Sequence, residues 1–232
     1  MDCDTTHIYR PLGGEYRELI HKLINSEGRY TISVPLIDHI ISLSDSLVLR
    51  NGEALIEYGV KNADFYVLLK GILRRFYWNN KVEVTDAFAE EGTQVLDYNS
   101  YYYDGGCLYT IEACTPCLLL HLSRSHYDEL LATSREFEHW RLMMAYNTLW
   151  LNDWSKTEYP GDAKSRYKAL MTNRPTILHN VPLKVIASYL GMSPNYLSNL
   201  RNEIFREEKE AKGLAPYDHS LRSAQDDNPG EE

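Results

Sequence analysis

The 232-residue chain contains no apolar run of eighteen or more residues, so no membrane-spanning helix is expected. Its N-terminus, MDCDTTHIYRPLGG, lacks the basic-then-apolar order of a secretory signal. There are only four cysteines (Cys3, Cys107, Cys114 and Cys117), and in an intracellular chain they stay thiols by default. These absences point to a soluble, cytoplasmic protein. Catalytic signatures are missing too: the chain has no G-x-S-x-G, no phosphate-binding P-loop and no H-E-x-x-H. The eight histidines are scattered, and only His121 falls in a strand-like run. A metal-dependent jelly-roll enzyme would need clustered His and Glu ligands on strands, such as His-x-His. Cys114-Thr-Pro-Cys117 reads as a turn between strands, because a zinc or cluster site needs matched ligand pairs. No catalytic residue, metal ligand or cofactor is expected, and the chain reads as a non-enzyme.

The formal net charge of -9 is unevenly placed. Residues 162–206 hold seven basic and two acidic side chains, a local net of +5. Residues 207–232 hold three basic and eight acidic ones, a local net of -5. Phosphate neutralisation is short-ranged in salt, so a polyanion responds to the local block and not to the total.

Hydrophobic periodicity divides the chain. Tyr16, Leu19, Ile20, Leu23 and Ile24 share one helical face, and LIDHIISLS after Pro35 forms a second short helix. From Ser46 the period shortens: SLVLR, ALIEYGV, FYVLLKG, ILRRFYW, KVEVTDAFAE and LYTIEACTPCLLLHLS are strand-like runs separated by turn residues. Gly71 marks a bend within VLLKGILRRF. About seven such strands predict a sandwich or jelly-roll barrel. Ser125 and Ser134 then cap a short and a long helix. Along the long one, Phe137, Trp140, Met144, Asn147, Leu151 and Trp154 step by 3, 4, 3, 4 and 3. That seam packs either on the chain's own β-domain or on a second copy, with Asn147 fixing register. Pro160-Gly161 breaks the helix, and Asp162 caps the next unit.

The stretch VIASYLGMSPNYLSNLRNEI, Val185 to Ile204, carries the strongest functional signal. It reads as a helix from Leu183 to Leu190, a Gly191-Met192 turn, and a second helix capped by Ser193 with Pro194 at its first position. Ala187 suits a close helix crossing, and Gly191 a turn at positive φ. Ile186, Leu190, Met192, Leu197 and Leu200 form the apolar contact. Asn195, Tyr196, Ser198, Asn199, Arg201 and Asn202 are left facing outward, a set of amides, hydroxyls and one guanidinium suited to base edges and phosphates. Ala, then Gly four residues on, then apolar residues six and nine after the Gly, is a helix-turn-helix pattern; the plain alternative is an ordinary αα-hairpin.

With these parts in this order, the sequence resembles the Crp/Fnr family of bacterial transcription regulators. SRYKALMTNRPTILHNVPLKVIASYLGMSPNYLSNLRNEI is similar to the DNA-binding unit of Bacteroidetes-type members, and NGEALIEYGVKNADFYVLLKGILRRFYW to the family's opening strands. The resemblance implies an α+β chain: an N-terminal cyclic-nucleotide-binding-like β-roll (jelly roll) as sensor over residues 1–133, a dimerisation helix over 134–158, and a helix-turn-helix, winged-helix-like DNA-binding domain over 162–206. Residues 207–232 form an acidic tail of few apolar residues, expected to be mostly disordered. It also implies a homodimer on a palindromic double-stranded operator, with RNA polymerase as a further partner. Pro194, Asn195 and Asn199 match the base-reading positions, Ser193, Ser198 and Arg201 suit phosphate, and Tyr196 suits either. Other classes of reading are a cupin-like β-roll enzyme and a cyclic-nucleotide-regulated subunit without DNA binding.

Cyclic-nucleotide binders of this fold use a Gly-Glu pair and, about ten residues on, an Arg for the cyclic phosphate. The corresponding stretch, Glu90 to Ala113, has Glu91-Gly92 in reversed order and no Arg or Lys at all. Without a cation the phosphate loses its charge-assisted partner, so tight cAMP or cGMP binding is not expected. Tyr98, Tyr101, Tyr102 and Tyr103 either stack on another effector or are half-buried strand and loop residues.

Overall fold

The computed structural model describes residues 7–26, 30–158 and 161–211, with only the backbone given for 154–158 and 211. Strand β1 (Tyr9–Pro11) leads through a short 3-10 turn into helix α1 (Arg17–Ile24) and then α2 (Val34–Ser42). Seven strands and one helix follow: β2 (Asp45–Leu49), β3 (Ala54–Ile56), β4 (Phe65–Lys70), β5 (Leu73–Asn79), β6 (Val82–Ala89), β7 (Gln94–Leu96), α3 (Tyr98–Tyr103) and β8 (Thr110–Ala113). Then come β9 (Cys117–Leu122), α4 (Arg124–Thr133) and the long α5 (Arg135–Glu158). Four helices close the order: α6 (Ala163–Asn173), α7 (Pro175–Asn180), α8 (Leu183–Tyr189) and α9 (Pro194–Ala211).

The strands form two antiparallel sheets in the orders β1-β2-β9-β4-β7 and β3-β8-β5-β6. Alternation along β4 and β9 divides the apolar side chains. Tyr66, Leu68 and Leu119 face Leu47, Leu55, Leu73 and Ile111 between the sheets. Phe65, Val67, Leu69, Leu120 and Leu122 face outward onto Ile20, Ile37, Leu130, Phe137 and Trp140 of the helices. The five-stranded sheet is thus buried on both faces, which explains why its central strands read as unbroken apolar runs. Gly71 sits at φ +104°, and a Cβ there would meet the Pro116 carbonyl at 2.6 Å, so the bend expected from sequence requires glycine.

Several local expectations differ from the fold. Helix α4 is capped by Ser123, whose Oγ accepts from His126 N at 3.4 Å, not by Ser125. Helix α5 is entered through Ser134, as expected, with Phe137 N donating to its Oγ at 3.2 Å. Strands β1 and β7, three residues each, are too short for periodicity to show. The tyrosines after β7 form α3, not a strand or loop, because the Asp97 carboxylate accepts from Ser100 N at 2.6 Å and caps the turn. No strand follows β9 among the described residues, so the winged-helix-like expectation finds no wing there. Helix α9 runs on to Ala211, past the boundary expected near 206; residues 212–232 of the acidic tail lie outside the described residues.

Asp64 ties the roll to α4. Its carboxylate accepts from His121 Nε2 at 2.9 Å and from Arg124 N at 2.8 Å. Burial opposes its charge, yet these donors outweigh burial and hold its pKa below the ordinary carboxylate value. A depressed carboxylate stabilises the fold above its unfolded pKa, and that contribution is lost as pH falls through the folded one. Asp64→Asn should therefore cost about 1–3 kcal/mol at neutral pH. The gap from the parent should close on acidification below the ordinary carboxylate range, as read by denaturant unfolding across pH.

Candidate nucleic-acid interface and the interior of the roll

The C-terminal helices are built by local chemistry. Asp162 Oδ1 accepts from Ser165 N at 2.8 Å and caps α6. Ser193 Oγ accepts from Tyr196 N at 3.2 Å and caps α9, with Pro194 at the first helical position. Between α8 and α9, Gly191 takes φ +67°. Ala187 is fully buried where the two helices approach, packed with Ile186, Leu190, Leu197, Leu200 and Ile204. The remaining face of α9's first three turns is exposed: Pro194, Asn195, Tyr196, Ser198, Asn199, Arg201 and Asn202, with Ser193 beside them. The sequence-read interface is thus brought together on one helix face. It carries no carboxylate before Glu203, which bonds Lys164 Nζ at 2.7 Å.

Charge in this unit is more committed than the residue count suggests. Lys164 also reaches Glu207 at 2.5 Å, tying α6 to α9. Lys168 lies 4.0 Å from Glu207, and Arg174 Nε donates to Glu90 at 2.8 Å. Arg166, Lys184, Arg201 and Arg206 make no ion pair among the described residues; Arg166 is half-buried, which leaves Lys184, Arg201 and Arg206 as the exposed unpaired cations.

The unit is docked on the roll through α8, away from the polar face of α9. Strand β6 is one of the two edges of its sheet. Ser188 Oγ donates to Glu83 O and accepts from Thr85 N, both at 3.0 Å, satisfying that edge as a neighbouring strand would. Tyr189 packs edge-on against Phe88 at 4.9 Å, and Arg174 adds a bond to Phe88 O at 3.1 Å. Sequence reasoning gave Ser188 and Arg174 no role; an edge strand and a helix 100 residues later share no local signal.

Within the roll, Asp97 is buried at 1% exposure and accepts from Cys107 Sγ at 3.0 Å. Burial, reinforced by this carboxylate, pushes the Cys107 thiol up to about 12. The suggested effector residues do not converge. Glu91 is exposed, and Gly92 is buried in the turn, donating to Leu68 O at 2.8 Å. Tyr101 donates to Asp128 on α4 at 2.7 Å. Tyr98, Tyr102 and Tyr103 are 49%, 77% and 75% exposed on the outside of α3. Tyr102 and Tyr103 meet edge-on at 4.9 Å, whereas Tyr101 packs edge-on against Tyr127 at 5.4 Å.

No family model matches the chain, and no curated protein matches it. Solved structures do. The c-di-GMP-responsive global regulator CLP of Xanthomonas campestris has a TM-score of 0.59 at 12% identity, covering 76% of this chain and 93% of that one. FixK2 of Bradyrhizobium japonicum has a TM-score of 0.58 at 12% identity, covering 71% and 86%. A cyclic nucleotide-binding domain from Methylobacillus flagellatus has a TM-score of 0.54 at 17% identity, covering 76% and 92%. The fold is the cyclic-nucleotide-binding β-roll with added helices. Its structural neighbours are regulators of the Crp/Fnr family and cyclic-nucleotide-binding domains.

On this β-roll the long helix does not present the seam read from sequence. Phe137, Trp140 and Met144 are 0%, 0% and 4% exposed, inside the chain's own core. They are therefore unavailable to a second copy. Asn147 is half-buried, Leu151 is exposed, and the Trp154 side chain lies outside the described residues. A different stripe is open: Leu142, Tyr146, Leu149 and Trp150 are 48–61% exposed at i, i+4, i+7 and i+8. No helix among the described residues is long and apolar enough to cross a membrane.

Proposed function

We infer that the chain is a sequence-specific DNA-binding transcription regulator of the Crp/Fnr type, with a C-terminal unit like that of Bacteroidetes members. The observation that carries this reading is the exposed polar face at the start of α9, which holds no carboxylate before Glu203 and is set opposite the helix's buried apolar face. A helix capped at its N-terminus and polar on one side can enter the major groove, where Asn195 and Asn199 offer amides to base edges and Ser193, Ser198 and Arg201 reach phosphates. The exposed stripe on α5 pairs two copies, which sets the two α9 helices against the half-sites of a palindrome. RNA polymerase is the partner such a bound dimer would recruit or block. No catalytic role is assigned.

The decisive experiment is selection of bound sequences from random duplexes by the purified full chain. Enrichment of a palindrome supports the reading; recovery of no sequence, with no duplex retained at low salt, overturns it.

The roll does not take a cyclic nucleotide in this reading. A buried carboxylate, Asp97, stands in the segment that carries the phosphate-binding residues in cyclic-nucleotide binders. It bonds the Cys107 thiol, and an anion brought beside it would meet repulsion, while the Arg75 guanidinium over the Tyr109 ring is already held by both oxygens of Asp86. Calorimetry with cAMP and cGMP should show no heat of binding up to millimolar ligand; micromolar affinity would refute it.

A further inference from the structure

We propose that a small monoanion, inorganic or carboxylate, binds between α5 and the edge strand β7, on the helical side of the five-stranded sheet, where Arg141, Gln94 and Trp140 meet. Arg141 is 8% exposed, and no carboxylate pairs with it among the described residues. Its Nε donates to Tyr127 Oη at 2.9 Å, and one terminal nitrogen donates to Gln94 Oε1. Aromatic faces surround the guanidinium, with Phe65 at 4.8 Å and Tyr127 and Trp140 each at 5.6 Å. Rings soften a buried cation but supply no counter-charge and no lone pair in the guanidinium plane. Among the described residues, the other buried arginine and the buried histidine each have a carboxylate: Arg74 has Glu83 and Glu112, and His121 has Asp64.

The neighbours of Arg141 add to the same demand. Gln94 turns its oxygen to the guanidinium, which leaves Nε2 buried without an acceptor. Trp140 Nε1 is likewise buried without one. Two of the five N–H donors of the Arg141 guanidinium are bonded here, and none of its nitrogens is fully buried without a partner, so its remaining donors stay within reach of solvent or a small ligand. Both unmet buried groups at the site, Gln94 Nε2 and Trp140 Nε1, are donors, and the one uncompensated charge is positive. The chemistry that satisfies them is an acceptor carrying a single negative charge. Gln94 is only half-buried on the edge strand, so the site borders solvent beside it. The site is separate from the interior between the sheets, and it stands independently of the DNA-binding reading.

The test uses the full chain in a gluconate buffer at constant ionic strength, with chloride, nitrate, formate or acetate replacing gluconate stepwise. At least one of these should raise the unfolding temperature saturably, by a few degrees. Gln94→Glu places a carboxylate on Arg141 from within. This variant should be at least as stable as the parent in gluconate and should no longer respond to the titrated anion. An unfolding temperature blind to anion identity would mean that water alone serves these donors, and would overturn the proposal. So would a Gln94→Glu variant that keeps the full anion response.

Discussion

An Asn199→Ala, Arg201→Ala double variant should bind its selected operator roughly 30- to 1,000-fold more weakly than the parent, with its thermal unfolding unchanged. Both side chains are exposed on α9 and contribute nothing to the packing of Leu197, Leu200 and Ile204 beneath them. A single hydrogen bond contributes about 0.5–1.5 kcal/mol net, and a tenfold change in affinity is about 1.4 kcal/mol. Losing one amide and one guanidinium in each half-site removes four contacts, and at about 0.5–1 kcal/mol each these account for the range. The two losses should separate on closer measurement. Asn199→Ala should relax sequence preference at one operator position. Arg201→Ala should weaken all duplexes alike and flatten the logarithmic salt slope by about 0.9 for each phosphate no longer neutralised. Titrating labelled duplexes at several salt concentrations reads both effects. Unchanged affinity and preference would remove α9 as the reading helix. Lys184→Ala should behave like Arg201→Ala, whereas Lys168→Ala should have less effect because Glu207 already stands beside it.

Legibility in the sequence followed the range of the physics involved. The starts of helices α8 and α9 and the turn between them were readable almost to the residue because Ser193, Pro194, Gly191 and Ala187 each act within a few positions of themselves. Asp162 as a cap was readable for the same reason. The roll was legible as strands with turns, since alternation and turn chemistry are also local. What required the fold was pairing across distance. Lys164, Lys168 and Arg174 counted as free positive charge until α9 and the turn after β6 placed Glu203, Glu207 and Glu90 beside them. The tyrosines of α3 favour strands by type, and only the Asp97 cap, visible as an Asp three residues before Ser100, argued for a helix. Ser188 closing the β6 edge had no sequence signal at all.

The seam on α5 shows the same limit, and it yields the second large effect. A 3-4 spacing of apolar residues says that a helix has a buried side without saying what buries it. Phe137, Trp140 and Met144 satisfied that spacing by packing on Val67, Leu120 and Tyr127 of their own chain. Trp140 is fully buried, so Trp140→Ala should cost about 3–5 kcal/mol in denaturant unfolding, with or without a partner copy. Leu149, 61% exposed on the open stripe, should behave oppositely. In the proposed dimer, a paired Leu142→Glu, Leu149→Glu variant would place like charges across the two-fold axis in place of apolar surface. Sedimentation should then show a folded monomer, while the unfolding of the isolated chain stays close to that of the parent. Operator binding should fall steeply with dimerisation, because one half-site alone supplies only half of the contacts. If instead the double Glu variant remained dimeric while Trp140→Ala dissociated, the pairing surface would be the seam that the spacing first suggested, and the packing of α5 on the five-stranded sheet would have to give way to it.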